Sequence, residues 1–508
     1  MLRTKNSIKN MKFSLFFRFL RIFAAFFRRK IFVLMLTQEY LGLNGTFSNI
    51  LDMLSIAELG IGGAITYSLY KPLAERDEKQ IAARMTLFRR TYHIIGLAII
   101  LLGGALTPFL PLVIRDFPDI PHIYLIYLLF LSNSALSYFF SYKQALIVAD
   151  QQQYIITTCS SLLSILLYFA QALFLWLTKN YFFYLGLQII VTMLENLIIT
   201  YIANQRYPYL KANRDEPIEA EAKREIVKNT KAMIIHKMGD TVILGADTLL
   251  ISSFFGTVLV GLHSNYMMIT LALASVYNQF FSALVASAGN LGATAEPKHV
   301  LRVFQRVDFA GNWLYGFSAV CLTVLLNPFI ELWLGEDYLF DQRIVCLIVL
   351  NFYLSGMRRA VLTFKDAEGL YWQDRYKAVV EALINLTVSM VLAAFLGIAG
   401  IFIGTTVSLL ATSFWIEPMV VFKYGFHCSA RSYFLHYIEN TLITLLTIII
   451  VWRICEGLPG TGLPLFIGKM VMCVVVGNMG YLAVYCRRDE FRYFVWLLRN
   501  FIFQKKKR

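Results

Sequence analysis

Seven ionisable side chains sit in stretches otherwise apolar enough for a membrane: Arg18, Arg21 and Arg28, then His236, Lys237, Asp240 and Asp247. Cations in an apolar setting suit an anionic ligand. A guanidinium matches a phosphate through its planar fork of donors, and a lysine adds a point charge. Arg18, Arg21, Arg28 and Lys237 are therefore candidates to hold a phosphate-type anion. Asp240, Asp247 and His236 are candidates to bind or relay an ion or a proton. On a helix, positions 18, 21 and 28 fall within about 80° of one another, as do 237, 240 and 247. Each set forms one polar stripe. Plainer roles also fit. Arg18 and Arg21 suit snorkelling to the cytoplasmic surface, Arg28 suits a static bridge to Asp247, and His236 suits packing. Glu58, Glu195, Glu381 and Glu417 are also embedded and suit hydrogen-bonded structural carboxylates.

Other chemistry has no foothold. The chain lacks a GxxxxGKS/T phosphate loop, an HExxH pair and a GxSxG turn, so no enzyme activity, cofactor or metal site is expected. The seven cysteines are scattered and form no CxxC pair, which leaves no disulfide framework to read.

The elements that position these residues are apolar helices. The chain has 508 residues, of which 58% are hydrophobic and 16% charged. Soluble domains carry about a quarter charged residues. Windows 91–114, 120–142, 151–178, 248–295, 309–330 and 382–416 contain no Asp, Glu, Lys or Arg. Each is at least the roughly 20 residues a spanning helix needs. The expected class is an all-α polytopic membrane protein; an outer-membrane barrel is excluded, since its strands would alternate apolar and polar residues. Fourteen helices are expected, near 13–36, 47–70, 91–114, 122–149, 153–178, 181–204, 231–255, 258–290, 307–334, 343–363, 376–397, 399–422, 434–453 and 464–486. The first is an energetic misfit. Its fifteen Phe, Leu, Ile and Val residues favour insertion by roughly 7 kcal/mol, while five bases at mid-membrane would cost up to about 15 kcal/mol. It makes sense if one side faces water inside a bundle.

The loops give an orientation. Bases concentrate in the N-terminal tail, 71–90, 205–230 and the C-terminal QKKKR, while 37–46 and 397–400 are nearly free of them. By the positive-inside rule both termini are cytoplasmic. The net charge of +15 then reflects inner loops, and no nucleic-acid partner is expected. The polar stretch 205–230, with Pro208 and Pro217, suits a linker. Residues beyond 490 mix aromatics and bases and suit an interfacial helix with a polybasic end.

The chain also repeats itself. A shift of 219 places Lys9 on Lys228, Lys12 on Lys231, Arg18 on Lys237, Gly42-Leu43 on Gly261-Leu262, Phe47 on Tyr266 and Ile50 on Ile269. Six helices separate the copies, an even number, so both run in one direction. Two six-helix lobes related by a pseudo-two-fold axis are expected, residues 1–207 and 208–425, followed by a helix pair and basic tail at 426–508. Charge differs between the copies: Arg21 falls on Asp240 and Arg28 on Asp247. The first stripe is cationic and the second mixed.

The run EYLGLNGTFSNILDMLSIAELGIGGAITYSLYKPLAERD at 39–77 resembles the first hairpin of bacterial polysaccharide repeat-unit (Wzx-type) flippases. KNTKAMIIHKMGDTVILGADTLLISSFFGTVLVGLHSNYMMI at 228–269 resembles the start of their second lobe. These flippases belong to the MOP exporter superfamily, with the MATE drug exporters and lipid II flippases. The resemblance covers residues 1 to about 425 and, more loosely, the last hairpin. It implies alternating access in the bacterial cytoplasmic membrane and an undecaprenyl-pyrophosphate-linked oligosaccharide as cargo. It also implies H⁺ or Na⁺ as coupling ion, and polymerase and glycosyltransferase partners. By position, Arg18, Arg21, Arg28 and Lys237 match the cavity cations held to grip pyrophosphate. A MATE-type cation antiporter and a non-transporting scaffold of a polysaccharide synthesis complex are the alternatives.

Overall fold

The computed structural model describes residues 2–212, 218, 224, 226, 245–294, 296–370 and 372–505. Among them there is no strand. The helices are α1 (Leu2–Met35), α2 (Gln38–Leu54), α3 (Ile56–Glu75), α4 (Glu78–Leu106), α5 (Ile123–Ala149), α6 (Gln153–Thr178), α7 (Tyr181–Arg206) and α8 (Gly245–Phe255). There follow α9 (Thr257–Thr294), α10 (Pro297–Leu334), α11 (Gln342–Met357), α12 (Arg359–Glu368), α13 (Lys377–Leu396), α14 (Ile398–Ser408), α15 (Arg431–Glu456), α16 (Gly462–Tyr485) and α17 (Asp489–Lys505). Eleven spans in the described residues are long and apolar enough to cross a membrane, with α11 and α12 forming one and α14 continuing to Gly425 in another. The protein is an all-α multi-pass membrane protein. Many large side chains point outward, among them Leu112, Leu166, Phe395 and Leu446, as helices solvated by lipid require.

The other three expected spans have helical counterparts. The segment 13–36 is the C-terminal part of α1, which is long enough but too basic to qualify alone. The segment 47–70 is two helices, α2 and α3, broken at Ser55, whose hydroxyl donates to the carbonyl of Leu51 at 2.7 Å. Of 231–255, residues from 245 are described, and they are helical. Several helices start earlier than charge alone suggested, α4 and α10 among them. Helix α4 begins at Glu78, where the Asp77 carboxylate accepts from the Gln80 N–H at 3.0 Å as an N-cap. Helix α10 begins with Pro297 at its first position. Bases assigned to loops, such as Arg84, Arg89 and Arg302, therefore sit on helix ends. Charge-free windows mark the lipid-crossing part of a helix, and the helix itself runs on into water.

By packing, the chain divides into residues 1–263 and 264–508. In the first unit α1 runs along α6, and α5 is flanked by α4 and α7. At the end of α7 the Tyr207 hydroxyl donates to the Asp150 carboxylate at 2.7 Å. Burial, helped by the nearby Glu78 and Asp150 carboxylates, pushes the neighbouring Tyr209 phenol up to about 12. In the second unit α10 is central, packed by α11, α15 and α16. Helices α13 and α14 form a tight hairpin. A Cβ on Gly400 would lie 2.2 Å from the Leu392 carbonyl oxygen, and one on Gly404 2.1 Å from Ser389 Oγ, the close approach a GxxxG pattern permits. Helix α17 forms where an interfacial helix was expected. Phe494 stacks on Phe309, Phe491 packs on Trp313, and the Arg306 guanidinium lies 3.6 Å over the Tyr493 ring.

Candidate functional site

Helix α1 sorts its misfit residues by face. Phe16, Phe19, Phe23, Phe27 and Leu34 are exposed and fall within about 80° of one another. Arg18, Arg21 and Arg28 are half-buried on the opposite side, centred about 180° away. Ala24 and Phe32, on the same half of the helix as the arginines, are buried. The phenylalanine stripe suits lipid and Arg18, Arg21 and Arg28 are turned inward, so most of the insertion cost of a lone helix does not apply.

Arg28 is held by α6 and α7. Its guanidinium donates to Gln171 Oε1 at 2.9 Å and lies 4.3 Å over the Tyr168 ring. Gln171 is fully buried. Its amide nitrogen donates to the Tyr184 carbonyl at 3.0 Å and to Gln188 Oε1 at 3.1 Å. Tyr184 packs edge-on against Phe32 and stacks on Tyr181. The arginine is thus anchored by one amide and by the Tyr168 and Tyr184 rings, which leaves further guanidinium N–H groups to serve an anion. Among the described residues, the side-chain hydrogen-bond partner of Arg28 is Gln171 on α6.

Arg18, Arg21 and Arg28 therefore share one inward face. Asp247 is half-buried on α8. His236, Lys237 and Asp240 lie outside the described residues, so the opposition of Arg18 and Lys237 is not described. Glu195 accepts from the Ser160 hydroxyl, and Glu58 lies on α3.

Where the repeat aligns Gly42 with Gly261, the two glycines meet. A Cβ on Gly42 would lie 1.8 Å from the carbonyl oxygen of Thr257, and one on Gly261 would lie 3.0 Å from that of Gln38. Residues 38 and 257 are themselves one repeat apart and begin α2 and α9. Each segment thus contacts in the other what the other contacts in it, the reciprocity of a two-fold contact.

The second unit holds a polar seam that single-residue reasoning undervalued. Lys377, Glu381, Asn385 and Ser389 recur every four residues along α13 and are buried. Ser389 Oγ donates to the Ile401 carbonyl at 3.1 Å, and Asn385 Nδ2 to Thr405 Oγ1 at 3.0 Å. Ser413 Oγ donates to Glu381 Oε2 at 2.6 Å. Lys377 Nζ lies 2.7 Å from Glu417 Oε1 and 3.1 Å from Glu381 Oε2. Arg358 grips Glu417 with two donors, Nε at 2.8 Å and Nη2 at 2.5 Å. Two cations and two carboxylates make a neutral quartet. Glu417 sits between two π-helical turns, Leu409–Ser413 and Val421–Gly425, a local widening frequent at functional positions. The four-residue spacing of Lys, Glu, Asn and Ser was the available signal. For Arg28, the signal was Gln171 within an otherwise apolar, charge-free window.

No protein-family model matches the sequence, and no curated protein does. Solved structures do match. The lipid II flippase MurJ in an inward closed conformation aligns with a TM-score of 0.65 and 12% identity, over 94% of this chain and 99% of that one. An inward-facing MATE-family multidrug transporter of the MOP superfamily aligns with a TM-score of 0.63 and 12% identity, over 78% of this chain and 94% of that one. A mutant of the Vibrio cholerae MATE transporter VcmN aligns with a TM-score of 0.53 and 14% identity, over 84% and 98%. The chain therefore has the fold of the MOP-superfamily transporters.

Proposed function

We propose that the protein is a flippase that moves undecaprenyl-pyrophosphate-linked oligosaccharide repeat units across the bacterial cytoplasmic membrane for surface polysaccharide assembly. One observation carries the reading: Arg18, Arg21 and Arg28 share the inward face of α1, opposite its exposed phenylalanine stripe. Three guanidinium groups on one face of a membrane helix call for a polyanionic partner. The pyrophosphate and sugars pass along this polar face while the prenyl tail stays in lipid, which spares the head group a crossing of hydrocarbon. Lys237 adds a fourth cation from the equivalent helix of the second lobe, with lobes at 1–207 and 208–425. Asp240, Asp247 or His236 couple the cycle to H⁺ or Na⁺. Both termini are cytoplasmic, and a polymerase and glycosyltransferases act beside the flippase.

The test is the double variant Arg18→Ala, Lys237→Ala in the native host. It should reach the membrane at wild-type level and abolish surface polysaccharide. Normal polymer from a well-expressed double variant would overturn the anion clamp. The fold is shared with MATE transporters, so a cation antiporter is the second reading. Protection of a pump-deficient host against cationic drugs, with no effect on polysaccharide, would favour it.

A further inference from the structure

We infer that the first unit carries a sugar-binding pocket, distinct from the arginine stripe and formed between α2, α5 and α7. It rests on the flippase reading for its cargo and adds the part that recognises the sugar. The pocket is open and encloses about 260 Å³. That is just below the roughly 300–1,000 Å³ of sites for drug-sized ligands and suits a single pyranose ring. Nine of its thirteen lining residues have polar side chains, which a packing gap between lipid-facing helices would not need. None is basic, and Asp52 is the one acid. A pyrophosphate has no counter-charge here.

What the lining offers is a balanced set of donors and acceptors. Asn133 Oδ1 is buried without a hydrogen-bond partner among the described residues, a state that calls for an explanation. Asn44 gives its amide N–H to the Tyr181 hydroxyl at 3.2 Å, so its carbonyl remains an acceptor. Gln188 receives the Gln171 amide on its carbonyl at 3.1 Å, so its NH₂ remains a donor. The Asp52 carboxylate accepts, and Thr192 both donates and accepts. Sugar hydroxyls also do both, which makes such a mixed, mostly neutral lining their natural complement. Phe130 adds aromatic surface for the C–H face of a ring.

The pocket is tied to the arginine stripe. Arg28 fixes Gln171, and Gln171 fixes Gln188. One relay thus sets both the cation offered to a phosphate and the amide offered to a sugar, as a ligand joining the two groups requires.

The experiment uses the full-length protein in nanodiscs and saturation-transfer NMR, which detects millimolar binding. The probes are methyl glycosides of a neutral hexose, an N-acetylhexosamine and a hexuronic acid, with tetraphenylphosphonium as a cationic control. At least one glycoside should bind saturably. Gln188→Leu and the near-isosteric Thr192→Val should each weaken it about tenfold, the effect of one hydrogen bond; Thr192→Val keeps the test valid if Gln188→Leu misfolds. No glycoside binding, or binding that neither variant weakens, overturns the pocket. So does tetraphenylphosphonium binding that Asp52→Asn abolishes while glycosides stay unbound. A sugar-free polyprenyl pyrophosphate is titrated in parallel and should bind equally to wild type and Thr192→Val. If it binds and glycosides do not, the pocket fails and the flippase reading stands. If glycosides bind and it does not, the flippase reading fails and the pocket stands.

Discussion

Replacing Glu417 by glutamine keeps the side-chain volume but removes one charge from the buried quartet. Glu417 is 1% exposed and accepts two bonds from Arg358 and one from Lys377. After the change, the carboxylate left to Arg358 and Lys377 within the quartet is Glu381, which lies 3.9 Å from Arg358 and 3.1 Å from Lys377. Breaking a buried ion pair on one side costs about 3–5 kcal/mol, because the other charge stays buried. For a unit of 150–250 residues, 1 kcal/mol lowers Tm by about 2–4 °C. A drop of about 6–20 °C is expected in detergent, followed with a thiol-reactive dye. The double variant Glu417→Gln, Lys377→Met returns the cluster to neutrality, with Arg358 left to Glu381. It should recover at least about 1 kcal/mol relative to Glu417→Gln, a coupling that only interacting groups show. If Glu417→Gln moves Tm by less than about 2 °C, or if Lys377→Met adds its own loss in full, the four groups are not one charge-balanced unit.

Two further outcomes follow from the first unit. Gly42→Ala should destabilise by about 1–3 kcal/mol or more, since its Cβ would meet a backbone oxygen at 1.8 Å. Gly261→Ala should cost less, at 3.0 Å, and Gly104→Ala, with nothing within 4 Å, should be neutral or gain a few tenths; membrane yield and Tm should follow that order. Arg28→Met should leave stability within about 2 kcal/mol of wild type, because the lost charged hydrogen bond and ring contacts are offset by relief of a partly desolvated charge. It should nevertheless cut flipping in liposomes at least tenfold, and flipping at wild-type rate would remove Arg28 from the anion site.

Much of the fold was legible because lipid imposes a simple rule on sequence. Charge-free windows located the lipid-crossing parts of α4, α5, α6, α9, α10, α13 and α14 within a few residues. They could not locate helix starts such as Glu78 or Pro297, because a helix leaving the membrane keeps its hydrogen bonds while its side chains become charged. The break at Ser55 was also hidden, since 47–70 stays apolar on both sides of it. That Arg18, Arg21 and Arg28 share one face followed from helical spacing alone. Its anchors did not: Gln171, Tyr168 and Gln188 are 140 or more positions away from Arg28, and only the packing of α1 on α6 brings them together. Glu381 and Glu417 were legible as hydrogen-bonded carboxylates, but their joining to Lys377 and Arg358 across three helices depends on tertiary packing.

The central claim is tested most directly by reconstitution. Purified protein in liposomes receives a fluorescent undecaprenyl-pyrophosphate-linked oligosaccharide in one leaflet, and its arrival in the other is followed by access to an impermeant quencher. The expected result is transbilayer movement that the Arg18→Ala, Lys237→Ala double variant abolishes. Movement no faster than in protein-free liposomes, or equal movement with that variant, would contradict it.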